Sequence, residues 1–269
     1  LGSEEASTMD WKGAAEGLFR WIHVVAGITW IGHLYFFNWV NGHVVALLDG
    51  DTKKKVVPEL MPRALFWFRW GAAFTWATGL LLAGLVYYMG VILWQDAPGG
   101  KPDWSAPTLV MVLASWLAFL LYDQVAKMVK DQRVVFVLGV AWVALLVNLM
   151  QAWAGWSPRG YMIHIGLMFG TMMAFNVWFR IWPAQQKIIT GVKTGVPADA
   201  ALAPMSGQRS KHNTFMSVPL VYMMLGQHMP GGGGGLTTTQ TIWSIPIVTL
   251  LGWLLVQHLY GISKKVKGF

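Results

Sequence analysis

Seven apolar stretches, at 18–40, 64–88, 107–125, 134–153, 161–182, 213–228 and 241–262, alternate with polar or turn-rich breaks. A helix needs about 20 predominantly apolar residues to cross a hydrocarbon core ~30 Å thick. The stretches meet or approach that length, the sixth being the shortest. The breaks fall at 49–62, at Ala97-Pro98-Gly99-Gly100, at 156–160, at 183–209 and at the glycine run 231–235. The pattern predicts an all-α polytopic membrane helical bundle. Seven transmembrane helices occupy 18–262, between a polar N-terminal segment at 1–17 and a basic tail at 263–269. The glycine run is a connector, because it lacks the Lys and Ser/Thr that complete a phosphate loop.

Composition sharpens this picture. Hydrophobic residues make up 55% of the 269 and charged residues only 12%, about half the share of a soluble domain. The net charge of +8 invites a nucleic-acid reading, but its placement argues for topology. With seven crossings, 16 of the 20 Lys and Arg fall on one side. Only Lys12, Arg20, Lys101 and Arg159 fall on the other. By the positive-inside rule this puts the N-terminus outside and the C-terminus in the cytoplasm. The reading is a multi-pass protein of a bacterial inner membrane that contacts lipid and has no nucleic-acid partner. The 17 tryptophans divide between the two predicted interfaces and the middle of the spans. No cysteine is present, which excludes disulfides, thiolate metal sites and a C-x-x-C-H haem attachment within these residues.

Ionisable groups inside a bilayer are costly, so those in the spans are the candidates for chemistry. His23 and His164 lie within one or two turns of the outer boundary, in stretches 1 and 5. They are either hydrogen-bonded within the bundle or axial ligands of a non-covalent, b-type haem, with Ala26, Gly27 and Gly166 leaving room for the ring. His33 and His258 are expected to satisfy local hydrogen bonds. Ser210-Lys211-His212-Asn213-Thr214 reads as the cytoplasmic start of helix 6, where a helix N-terminus with Lys211 and Arg209 offers a place for an anion. Arg63, Arg69, Asn176 and Arg180 share that depth. Arg69, among Phe66, Trp67, Phe68 and Trp70, either reaches the headgroups or neutralises a propionate or other carboxylate. Asp123 is placed to pair with Lys127 at i, i+4. Gly166-x-x-x-Gly170 and Gly79-x-x-x-Ala83 are spacings for close helix packing.

Four strings carry a family likeness. They are Trp21-Ile22-His23-Val24-Val25-Ala26-Gly27-Ile28-Thr29-Trp30-Ile31-Gly32, Pro62-Arg63-Ala64-Leu65-Phe66-Trp67-Phe68-Arg69-Trp70-Gly71, Asn176-Val177-Trp178-Phe179-Arg180-Ile181-Trp182-Pro183 and Ser210-Lys211-His212-Asn213-Thr214. They resemble the membrane domain of bacterial membrane-bound urate oxidase (urate hydroxylase), over about 21–228. The resemblance implies a helical membrane domain, fused in full-length members to a periplasmic cytochrome c domain, that takes part in oxidising urate. It marks His23, His164 and His212 as positions of interest. With no C-x-x-C-H in these residues, the likeness is to a stand-alone form whose electrons leave to a separate c-type cytochrome. The reading is thus an integral membrane redox protein with haem b, urate-oxidase-like as an enzyme. Arg63, Arg69 and His212 join the two outer histidines around cofactor or anion. The alternative is a non-catalytic transmembrane subunit of a larger respiratory or photosynthetic complex.

Overall fold

A computed structural model describes residues 10–95, 101–226, 228 and 236–268. The breaks at Ala97-Pro98-Gly99-Gly100 and 231–235 lie outside the described residues. Helix α1 (Trp11–Tyr35) starts where the Asp10 carboxylate accepts the Gly13 N–H, so helix already occupies the end of the polar N-terminal segment. A π-helical turn (Phe36–Asn41) joins it to α2 (Gly42–Leu47). Asp49 caps α3 (Gly50–Leu82) by accepting the N–H groups of Asp51 and Thr52. Its bond from the Thr52 hydroxyl, with these backbone bonds, holds the Asp49 carboxyl below the usual carboxylate range. The expected break at 49–62 is therefore mostly helix, running through Pro58 and Pro62. A second π-helical turn (Ala83–Tyr88) ends this rod.

Then follow α4 (Ala106–Met128), α5 (Gln132–Ala152) and α6 (Pro158–Asn176), a third π-helical turn (Val177–Ile181) and α7 (Trp182–Thr194). α7 stops at Gly195, whose φ of 78° is the left-handed conformation that glycine adopts without a Cβ clash. α8 (Leu202–Gly226) and α9 (Thr238–Ser263) complete the chain, α9 opening on a Thr237/Gln240 capping box. The nine segments form seven continuous rods among the described residues. Two more boundaries depart from the apolar pattern. α7 fills much of the expected break at 183–209, and α8 begins well before 213. The Ser210–Thr214 string is thus helix interior rather than helix start, and its backbone N–H groups are not free for an anion. The side chains of Ser210, His212 and Asn213 are held by other helices instead, which lets a polar sequence stay helical.

Five rods are long and apolar enough to cross a membrane: Gly50–Tyr88, Ala106–Met128, Gln132–Ala152, Pro158–Thr194 and Thr238–Ser263. α1 and α8, each 25 residues, fall short of that apolarity. α1 carries His23, Thr29 and His33, and α8 the run from Ser206 to Thr214. The outer faces are apolar: Leu113, Leu117, Leu120 and Leu121 on α4, and Ile247, Leu251, Leu254 and Leu255 on α9, are all exposed. Contiguous faces of this kind mark contact with lipid or with partners rather than with water. Together these features make the chain a multi-pass membrane protein.

α6 is the central helix. Its apolar window is 67% buried, against 22–39% for the other four. Gly166 lets α8 approach, since a Cβ there would sit 3.0 Å from Met223 Cβ. The broadest helix contact is between α1 and α3. A Cβ on Gly71 would lie 3.0 Å from Trp30 N and 3.2 Å from Ala26 O. The room read at Ala26 and Gly27 as space for a porphyrin is thus taken up by α3, with Thr75 lying against Gly27.

Candidate functional site

Two Tyr–His pairs define two polar sites. At the first, His164 is fully buried on α6. Its Nδ1 lies 2.8 Å from Gly160 O, and a carbonyl only accepts, so Nδ1 carries the proton. Nε2 is then the acceptor for the Tyr88 hydroxyl at 3.0 Å, and the Tyr88 oxygen accepts from Trp116 Nε1–H at 2.9 Å. The relay runs Trp116, Tyr88, His164, Gly160, with the Trp156 ring 4.4 Å from the imidazole. Tyr88 arrives from the π-helical turn, the kind of one-residue insertion that clusters at functional positions.

His23, on α1, packs against α3. Its Nδ1 is 3.2 Å from Thr78 Oγ1, and the Thr78 proton is committed to Phe74 O at 2.6 Å. Thr78 therefore accepts from His23 Nδ1–H. Gly79 is needed beside the ring, since a Cβ there would sit 3.1 Å from His23 Cε1. No ring contact joins His23 to His164 among the described residues. Each nonetheless has Nδ1–H anchored by the protein, the orientation that second-shell hydrogen bonds give to iron-ligating imidazoles. The donor chemistry fits a haem iron at Nε2. At His164 the Tyr88 hydroxyl occupies that position and would have to withdraw.

Arg63 and Arg69 do not join this site. Arg63 is 73% exposed and pairs with Glu59 at 2.5 Å. The Arg69 guanidinium lies 3.9 Å from the Trp182 ring centroid. Along α3 it stands ten residues from Gly79, roughly 15 Å of rise from the residue that touches His23. His33 bonds Thr29 O at 2.7 Å within its own helix, as its local role requires. Among the described residues no three His, Asp or Glu side chains gather to hold a bare metal ion.

The second site is built around Asp123 on α4, the one acid within the apolar stretches. Lys127 lies 2.6 Å from it, the i, i+4 pair legible in the sequence. The structure adds Arg180, which forms two charge-assisted bonds at 2.8 and 2.5 Å, and Arg209 at 2.8 Å. Arg209 is only 1% exposed, and its Nε and Nη1 have no partner among the described residues. One carboxylate thus faces three cations.

Beside it runs the second relay. His212 Nε2–H donates to Gln132 Oε1 at 2.6 Å, so Nδ1 accepts from the Tyr122 hydroxyl at 2.8 Å. Tyr122 accepts in turn from Asn176 Nδ2 at 2.9 Å. Asn176 also donates to Asn213 Oδ1, and Asn213 to Met173 O. Asn38, from the first π-helical turn, donates to Ser210 and accepts from Tyr260. Of the residues singled out by sequence, Asn176, Arg180, Arg209, His212 and Asn213 come together here, whereas Arg63 pairs with Glu59 and Arg69 packs on Trp182. Tyr88 and Tyr122 were not singled out, and Trp116 only as one of the tryptophans in the middle of the spans. Their one signal is a polar tip on a ring placed where a buried hydroxyl or indole N–H needs a partner.

Tyr88→Phe tests the first relay. It strands Trp116 Nε1–H and His164 Nε2, so stability is expected to fall by about 1–3 kcal/mol. Thermal unfolding in detergent measures this, and an unchanged midpoint would show that the relay contributes nothing.

Neither the curated proteins nor the solved structures offer a match to this chain. One protein family does, described as urate oxidase N-terminal, over residues 47–268. The matched span takes in Tyr88, both halves of the Asp123 cluster, His164 and His212, and leaves His23 before its start. A match over so much of the chain, containing both relays, shows that the chain belongs to the urate oxidase N-terminal family.

Proposed function

We propose that this family member is a redox protein of the inner membrane that binds b-type haem and passes electrons from a small substrate or quinol to a separate carrier such as a c-type cytochrome. All seven rods cross the bilayer in this reading, with the N-terminus outside, in keeping with the 16 to 4 division of the 20 basic residues. The observation that supports it most is the anchoring of Nδ1 in both His23 and His164, which leaves Nε2 as the unprotonated ring nitrogen of a neutral imidazole. His23 and His164 are the residues that would hold the iron, and the haem would supply one-electron chemistry. Thr78 and Gly160 O fix the two imidazoles, Gly79 leaves the His23 ring its space, and buried Trp156 keeps water from His164. Arg63 and Arg69 serve an anionic substrate rather than the propionates, because the length of α3 separates the two arginines from His23.

Visible absorption of protein produced with an ample haem supply is the test. A Soret band and a reducible α-band are expected, lost in His23→Ala and His164→Ala but kept in Arg69→Gln. A protein with neither band overturns the haem assignment. Loss of the bands in Arg69→Gln alone moves the site to the opposite end.

A further inference from the structure

A cavity of about 1650 Å³ opens between α4, α5, α6, α8 and α9. It exceeds the roughly 300–1,000 Å³ of pockets built for small molecules. Its walls are apolar, with Phe136, Trp142, Met168, Met172, Met216 and Trp253 among them. Basic residues also line it: Lys127, Lys130, Arg133 and Lys211, every one exposed. Lys127 is engaged by Asp123. The other three have no carboxylate partner among the described residues. Asp131, the single acid between 124 and 198, accepts the Arg133 backbone N–H at 2.8 Å as the cap of α5. Three like charges around one opening repel one another and favour an anion. From Arg133 to Trp142 the cavity follows nine residues of α5, about 13 Å of rise and close to half of the ~30 Å hydrocarbon core. An apolar slot one leaflet deep with a cationic mouth has the shape and charge of a lipid seat, and such basic pockets between helices bind anionic headgroups.

We propose that this cavity is a binding site for an anionic phospholipid. Its phosphate sits among Lys130, Arg133 and Lys211, and its acyl chains lie along Phe136, Trp142 and Trp253. The site rests on the membrane-spanning reading and is independent of haem. A lipid here reaches Tyr122 and His212, which also line the cavity, and so fills the space between α5 and the central helix.

Native mass spectrometry of the full chain released from detergent tests the site, with phosphatidylglycerol and phosphatidylcholine of identical acyl chains as probes. Retention of phosphatidylglycerol is expected to exceed that of phosphatidylcholine by at least tenfold. Each of Lys130→Gln, Arg133→Gln and Lys211→Gln is expected to lower that preference about fivefold, the equivalent of ~1 kcal/mol per cation near a lipid surface. The triple variant is expected to abolish it. The single variants carry the test if the triple variant does not stay monodisperse. Val135→Trp, which narrows the cavity and leaves the three basic residues in place, is expected to reduce the retention of both lipids. Equal retention of the two lipids by the unaltered chain overturns the proposal. So does a preference that survives the triple substitution, or an isoprenoid quinone that displaces phosphatidylglycerol from the unaltered chain.

Discussion

Asp123→Asn is expected to destabilise the protein by about 3–5 kcal/mol, the cost of removing one member of a buried ion cluster. The side chain of Asp123 is 5% exposed and that of Arg209 is 1%. Without the carboxylate, Arg209 keeps its charge in the interior with Nε and Nη1 unpaired among the described residues and Nη2 left to neutral acceptors, among them the backbone carbonyl of residue 123 at 3.2 Å. Arg180 loses both of its bonds to the same group, though at 31% exposure it recovers part of the loss from solvent. Lys127→Gln is the control. Its side chain is 48% exposed, and a pair of that kind contributes about 0–1 kcal/mol. A third variant separates the charge from the packing. Replacing both partners by apolar groups, as Asp123→Leu with Arg209→Met, leaves no stranded ion and is expected to recover much of the stability. Thermal unfolding in detergent, followed by tryptophan fluorescence and by the fraction eluting as a monodisperse peak, reads all three. An Asp123→Asn protein within about 1 kcal/mol of the parent would mean that Arg209 is not held by this carboxylate.

Gly71→Val is the second large effect, and it acts on shape rather than charge. The atoms nearest a Cβ at this position are Trp30 N, Ala26 O and Trp30 Cα, at 3.0, 3.2 and 3.2 Å. All belong to the backbone of α1, which cannot turn aside as a side chain would. Relief comes only by moving the two helices apart, through a contact that also buries Trp30, Phe68 and Ala72. Overpacking a well-filled core costs about 1–3 kcal/mol, occasionally more, and the upper end is expected where the obstacle is main chain. Gly84→Val makes the comparison, since nothing lies within 4 Å of a Cβ there. Equal melting temperatures for the two variants would show that α1 and α3 are not in the close contact described. Because His23 depends on Thr78 and Gly79 of α3, Gly71→Val is also expected to loosen that histidine.

How much of this was readable along the chain depends on the range of the interaction. The seven rods were legible because each carries an apolar stretch near 20 residues. Their ends were not, where helix continues through polar sequence. α8 starts at Leu202 although Ser206, Gln208, Arg209, Ser210 and Lys211 follow, since Gln185, Asp123 and Asn38 on other helices take up the side chains of Ser206, Arg209 and Ser210. The Asp123–Lys127 pair was legible because four residues make one helical turn. Arg180 and Arg209, 57 and 86 positions from Asp123, were recognisable only as basic residues at a similar depth. The same holds for Tyr88, 76 positions from His164. Periodicity reports which face of a helix is apolar, and says nothing of which distant phenol will meet a given imidazole.

The three π-helical turns bear on how this chain should be lined up with its relatives. Each holds one residue more than the α-helical turn it replaces and takes that residue up by widening the turn. Removing a single residue from 36–41, 83–88 or 177–181 would let the turn close to ordinary α-helix with the rod beyond it in nearly its old orientation, and would change which side chains the turn itself presents. Asn38, Tyr88 and Arg180, which meet distant partners, lie one in each of these turns. In an alignment, a one-residue gap at any of these three places is therefore a change of site, even where every flanking residue is identical.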